Sequence, residues 1–177
     1  EIPKNVAGLM LGAIISDTLL FRSPTCTKTD KEIALELAKI AGVDAEEFGL
    51  AMFKAGTSLV GKSIEEIYNQ DYKSFNIGDA KVGIAQVNTM DIDGFAPLKA
   101  EMLEYMENLC VENGFDTAVL LLTDVINATS EVFVAGSHPE YVENAFNVQL
   151  VEHQANLPGV ISRKKQVVPA ITRAINA

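Results

Sequence analysis

Asp17 stands in a largely apolar stretch, residues 6–21, whose side chains read as a helix. A carboxylate in that setting has to be neutralised, hydrogen-bonded, paired with a cation or bound to a metal, because burying it bare costs several kcal/mol. Ser16 and Thr18 beside it can supply local hydrogen bonds. One carboxylate does not identify a metal site, so two readings stand: a metal ligand, or a helix-end carboxylate that caps the next turn.

The run Ser162-Arg163-Lys164-Lys165-Gln166 is the second candidate. Gly159, Val160 and Ile161 precede it and a helical pattern follows, so Ser162 falls where an N-cap belongs. Arg163 and Lys164 then occupy a first turn, where the helix dipole disfavours each cation by about 0.3 to 1 kcal/mol. An anion would relieve that cost. Free N–H groups at a helix start, a guanidinium fork and an ammonium point charge together suit a phosphate or a carboxylate. A solvated basic turn paired with some of the surplus acids fits the same spacing.

No other group completes a catalytic site. His138 and His153 are the only histidines, and neither has a His, Cys or Asp partner at ligand spacing. There is no GxSxG elbow and no GxGxxG after a strand. Cys26 and Cys110, 84 positions apart, form neither a disulfide framework nor a CxxC pair and read as small apolar residues in a reduced chain. Residues 90–93, Met-Asp-Ile-Asp, read as a turn leading into a helix. By residue type alone, Lys73 is an ordinary exposed lysine.

These candidates have to be positioned by an acidic chain of 177 residues with a formal charge of −10 and 48% hydrophobic residues. That composition suits a soluble globular protein and argues against a general nucleic-acid binder, which needs a basic face. The last acidic residue is Glu152, and after it come only bases: Arg163, Lys164, Lys165 and Arg173. The longest uncharged run, residues 5–16, falls far short of the roughly 20 apolar residues that span a bilayer. A cytoplasmic protein is expected, with no nucleic-acid or membrane partner. The chain begins with Glu1 and enters an apolar helix almost at once, as a piece of a longer protein would.

Periodicity predicts a helix over residues 3–21, apolar all round and therefore buried, broken at residues 22–25 by Pro24. A second helix is expected from an N-cap at Thr29 or Asp30 to Ala41, with Ile33, Leu37 and Ile40 aligned and Gly42 as its stop. A third starts at Asp44 and aligns Phe48, Met52 and Ala55 before Gly56. Residues 57–62 read as a linker. Beyond it come a short helix with the Ser63/Glu66 capping box, a hairpin turning at Gly78-Asp79, and a long helix over residues 97–113. A central strand over residues 118–122, its neighbour over 131–135 and a last helix over 163–175 complete an α/β reading with a small mixed sheet.

Three segments in this order and at these separations resemble the family II, manganese-dependent inorganic pyrophosphatases of the DHH phosphoesterase superfamily. They are Ser16-Asp17-Thr18-Leu19-Leu20-Phe21-Arg22-Ser23-Pro24-Thr25, Ile84-Ala85-Gln86-Val87-Asn88-Thr89 and Ser162-Arg163-Lys164-Lys165-Gln166-Val167-Val168-Pro169. The resemblance covers essentially all 177 residues. It implies that residues 1–56 are the last helices of a metal-binding DHH domain, 57–62 a linker, and 63–177 a small α/β DHH-associated domain that binds substrate. Asp17 then matches the last aspartate metal ligand of the first domain. Arg163 and Lys164 match the substrate-binding pair of the second, and Lys73 resembles its third phosphate-binding cation. These three cations are thus the expected catalytic and substrate-binding residues, and Lys165 receives no role.

The implied cofactors are Mn2+ or Co2+, together with Mg2+, and the implied substrate is pyrophosphate. The family's other metal ligands, an early His and Asp pair, another Asp and the Asp-His-His signature, have no counterpart in this sequence. The chain is therefore expected to be the C-terminal part of such an enzyme and inactive by itself. A homodimer is expected for the complete enzyme. Its dimer contact is made mainly by the first domain, so a monomer is compatible with this chain. Two alternatives are kept: a related phosphoesterase acting on short polyphosphate, and a noncatalytic anion-binding module.

Overall fold

In a computed structural model describing Glu1–Ala177, the first helical signals become α1 (Lys4–Thr18), α2 (Lys28–Ala41) and α3 (Ala45–Gly56). They form one compact unit, Glu1–Ser58; a second unit comprises Leu59–Ala177. The break between them falls inside the stretch expected to be a linker.

α1 ends before the expected Phe21. Leu19, Leu20 and Phe21 all take left-handed backbone angles, with φ of 46°, 53° and 65°. The Thr18 hydroxyl donates back to the Ile14 carbonyl at 2.7 Å and accepts the Phe21 N–H at 3.2 Å, which closes the helix without help from Pro24. The expectation of burial all round is also corrected: only the stripe Ala7, Leu11, Ile15 and Thr18 is buried, and Leu9 is 75% exposed.

α2 starts earlier than expected. Thr27 is its N-cap, in a reciprocal capping box with Asp30, and Gly42 closes it in the left-handed region. Its buried face is Ala34, Leu37, Ala38 and Ala41, while Ile33 and Ile40 lie exposed. In α3 the Asp44 carboxylate caps the N–H groups of Glu46 and Glu47. The buried residues are Ala45, Gly49 and Phe53, a different face from the expected Phe48, Met52 and Ala55. Gly49 lets α3 approach α1: a Cβ there would lie 2.2 Å from Leu20 and 3.1 Å from Ile15.

The second unit is a mixed five-stranded sheet in chain order: β1 (Tyr72–Ile77), β2 (Ala80–Thr89), β3 (Thr117–Asp124), β4 (Thr129–Gly136) and β5 (Gln154–Pro158). β1 and β2 form the expected hairpin, and β2 pairs parallel with β3 through the crossover helix α5 (Lys99–Asn113). β4 returns antiparallel on β3, and β5 on β4. All eight residues of β3 are buried, as a central strand requires.

One sheet face is covered by α4 (Ile64–Tyr68) and α5, through Ile67, Tyr68, Met102 and Met106 packed on Leu120, Leu122 and Phe133. The other is covered by α6 (Glu140–Phe146), α7 (Val168–Ile175) and the turn before α7, through Val142, Ile171 and Val167 on Ile84, Val119, Leu121 and Val132. Fully burying each such side chain contributes about 1.5 to 3 kcal/mol. No helix is long and apolar enough to cross a membrane.

Periodicity missed α6 and β5. It also merged two elements: residues 163–167 form a wide π turn before α7 begins. There the Val167 N–H reaches back five residues to the Ser162 carbonyl, at 3.2 Å. Pro169 has no N–H to continue an ordinary ladder behind it.

Candidate functional site

The turn that carries Arg163 and Lys164 is tied to the sheet from both sides. Gln166, one turn further on, folds its carboxamide back: Oε1 accepts the N–H groups of Ile161 (2.9 Å) and Ser162 (3.0 Å), and Nε2 donates to the Gly159 carbonyl (2.8 Å). From β2, Gln86 accepts the Arg163 N–H at 3.1 Å, and the Ser162 hydroxyl accepts the Lys165 N–H at 3.2 Å. This corrects the expectation of an array of free N–H groups at a helix start. Side-chain oxygens already occupy the N–H groups of Ile161, Ser162, Arg163 and Lys165, so anion binding at this turn has to rest on the cationic side chains.

Those cations differ in setting. Arg163 is only 7% exposed. Its Nη2 donates to the Asp71 carboxylate at 2.6 Å, and its Nη1 donates to the backbone carbonyls of Asp71 and, at 3.3 Å, Ile84. Asp71 itself is exposed, which leaves one side of the ion pair at the surface. Lys73, two residues further along, is exposed on β1 and faces Ile84 in the sheet register. Arg163 therefore bonds to Asp71, just before β1, and to Ile84 of β2, the residue paired with Lys73. Lys164 and Lys165 are exposed beside Arg163.

Asp17 lies on the other unit, near the end of α1. It is exposed, which corrects the expectation of a buried carboxylate: the helix turns its narrow apolar stripe elsewhere. Its backbone carbonyl accepts the Thr25 hydroxyl at 3.0 Å. No group of three or more His, Cys, Asp or Glu side chains in this chain is placed to hold a metal ion. A single exposed carboxylate does not make a metal centre; Asp17 can serve at most as one ligand of a larger set.

The histidines stay outside the site. His138 pairs with Glu140 at 2.7 Å, stacks on Tyr141, and holds the Glu140 carboxyl below the usual range. His153 lies against the Val134 carbonyl at 3.2 Å. Asp91 accepts the Gly94 N–H at 2.9 Å, as a turn residue.

Sequence reasoning missed Asp71, Gln86 and Gln166 as residues of this site. Asp71 and Gln86 lie within or beside segments that attract attention for other reasons. Nothing in their spacing, however, announces partners 92 and 77 positions away.

Residues 50–174 match the DHHA2 domain. The chain is 58% identical over 172 residues to a cobalt-dependent inorganic pyrophosphatase of Clostridium perfringens, covering 97% of this chain and 31% of that protein. It is 53% identical over 175 residues to a probable manganese-dependent inorganic pyrophosphatase of Clostridium acetobutylicum, covering 99% of this chain and 56% of that protein. It also superposes with TM-score 0.90 and 44% identity on the crystal structure of a Methanococcus jannaschii protein described as a family II inorganic pyrophosphatase. That match covers all of this chain and 58% of the other. The chain thus spans 31% and 56% of the two curated relatives, aligned almost throughout its own length.

Proposed function

The chain belongs to the DHHA2 domain family, and we propose from that premise that it is the substrate-binding part of a metal-dependent inorganic pyrophosphatase. In this reading Lys73, Arg163 and Lys164 bind one phosphoryl group of pyrophosphate while the other is hydrolysed. The observation that carries it is the convergence of Arg163 on the β1–β2 pair that presents Lys73.

The chemistry asked of these residues is electrostatic. A guanidinium has five N–H donors. Three are taken by Asp71 and Ile84, so Nε–H and one Nη2–H remain for phosphate oxygens. The Asp71 carboxylate holds the guanidinium in one orientation, so little reorganisation is required when charge builds on the leaving phosphate. Lys73 and Lys164 add mobile point charges at the surface.

The relatives' names specify manganese and cobalt, and such ions supply an activated water in hydrolysis of this kind. In this reading Asp17 contributes one ligand, and the remaining ligands, with any Mg2+ that accompanies the substrate, belong to sequence outside these 177 residues. Residues 1–56 are then the last helices of the metal domain, 57–62 a hinge, and 63–177 the substrate domain. The complete protein is read as a cytoplasmic homodimer.

Mixing this chain with a separately expressed N-terminal half of a relative tests the proposal. Manganese-dependent release of phosphate from pyrophosphate, absent from either half alone, is the expected result. Persistent inactivity of the mixture while both halves are folded would favour a noncatalytic anion-binding module. Faster release from tripolyphosphate than from pyrophosphate would move the assignment to a related phosphoesterase of short polyphosphate.

A further inference from the structure

We infer that Gln86 is the positioning residue for the Arg163–Lys164 turn, an inference that rests on the reading of those cations as phosphate-binding. The second sheet face is apolar where Ile84, Val119 and Val134 align, and again at Leu121 and Val132. Further along it turns polar: Gln86, opposite Leu121, reaches Thr123 of β3, which pairs directly with Ser130 of β4, the last two fully buried. Buried polar groups are as a rule satisfied, and Gln86, Thr123 and Ser130 are satisfied by one another and by the turn.

The atoms leave one arrangement. The Arg163 N–H can only donate and the Ile161 carbonyl can only accept, so Gln86 must present Oε1 to the former (3.1 Å) and Nε2 to the latter (3.0 Å). The other Nε2 hydrogen goes to the Thr123 hydroxyl at 3.0 Å. Ser130 spends its proton on the Val160 carbonyl at 2.6 Å, so Thr123 donates to Ser130 at 3.0 Å. A single directed chain therefore runs from Gln86 through Thr123 and Ser130 and clamps the backbone on both sides of Ile161. Arg163 is held twice: its backbone by Gln86, and its guanidinium by Asp71 and by Ile84, two residues before Gln86 on the same strand. Gln86 thereby fixes where the cation pair stands relative to Lys73 without itself touching a phosphate.

The test uses the 177-residue chain, with amide exchange and an NMR titration with pyrophosphate as readouts. Gln86→Met removes the clamp at similar size. Thr117→Val serves as the control, since it removes a buried hydroxyl bonded to the His138 carbonyl at the far end of β3.

In Gln86→Met the Arg163 amide is expected to exchange about tenfold faster or more while the β3 amides keep their protection. Pyrophosphate affinity, followed at Lys73, Arg163 and Lys164, is expected to fall by about tenfold, roughly what one lost hydrogen bond to a charged partner would give. Thr117→Val should leave that affinity in place. Should Gln86→Met not fold, Gln86→Glu keeps the acceptor for the Arg163 N–H and loses the donors to the Ile161 carbonyl and Thr123, and is expected to retain protection at Arg163 while pyrophosphate affinity falls. Unchanged exchange and unchanged affinity in the Gln86 variant, or an equal loss of affinity in Thr117→Val, would overturn the inference. No response of the parent chain to pyrophosphate would count against the proposed function, and the exchange data would still decide the role of Gln86.

Discussion

At Arg163 part of the positive charge is balanced before any ligand arrives, and the geometry of that balance fixes which N–H groups stay available. The residue types 162–166 signalled an anion site, but the expected donors, free amides, turned out to be the wrong ones. Gln166 and Gln86 had already claimed them, through contacts that only the folded chain creates. Tyr68 makes the opposite point. Its ring is fully buried among Tyr72 and Tyr105, its hydroxyl has no hydrogen-bond partner, and burial pushes the phenol's ionisation well upward. Tyr68→Phe removes an unsatisfied polar atom and is expected to raise stability by about 1 kcal/mol in urea unfolding; a loss of that size would mean that the hydroxyl is satisfied in solution. Burial likewise pushes the Cys110 thiol up to about 11. Its neutral form supports the fold fully below the ordinary thiol range, and that contribution declines as the pH rises through the range toward 11. A thiol reagent at about pH 8 should therefore modify Cys26 in the native protein and reach Cys110 only after unfolding.

Elements with strong local signals were legible in advance: the Ser63/Glu66 capping box, the Gly78-Asp79 hairpin and the apolar run of β3 all stand where periodicity put them. Those missed or misdrawn are ones that tertiary structure decides. β5 has a mixed burial pattern and depends on β4 for its pairing, and α6 is only seven residues long. The π turn exists because polar side chains from the sheet hold residues 160–163 while Pro169 limits the ladder behind them. The buried face of α3 was misplaced because Gly49, which carries no apolar side chain to reveal it, is the contact point with α1. Gly136, at the exit of β4, shows a similar constraint: its φ is 104°, and a Cβ would lie 2.5 Å from the Asp116 carbonyl oxygen. Gly136→Ala should cost about 1 to 3 kcal/mol or more, read as a lower denaturation midpoint with an unchanged slope; wild-type stability would contradict so close an approach at the strand exit.

At the scale of the whole molecule, the division at Ser58 and Leu59 separates a helical unit that carries Asp17 from a sheet unit that carries Lys73, Arg163 and Lys164. The formal charge of −10 excludes indiscriminate attraction of polyanions, whereas Lys73, Arg163 and Lys164 lie on one strand pair and the turn bonded to it. The function proposed for that cluster is catalytic, so kinetics in the complete protein judge it most directly. The decisive measurement is kcat/KM for phosphate release from pyrophosphate by the complete manganese-loaded protein, with and without Arg163→Ala. A fall of about a hundredfold or more, with folding retained, is the predicted result, on the scale of losing a donor that stabilises transition-state charge. Near-normal turnover would contradict the role assigned to Arg163 and, with it, the proposed substrate site.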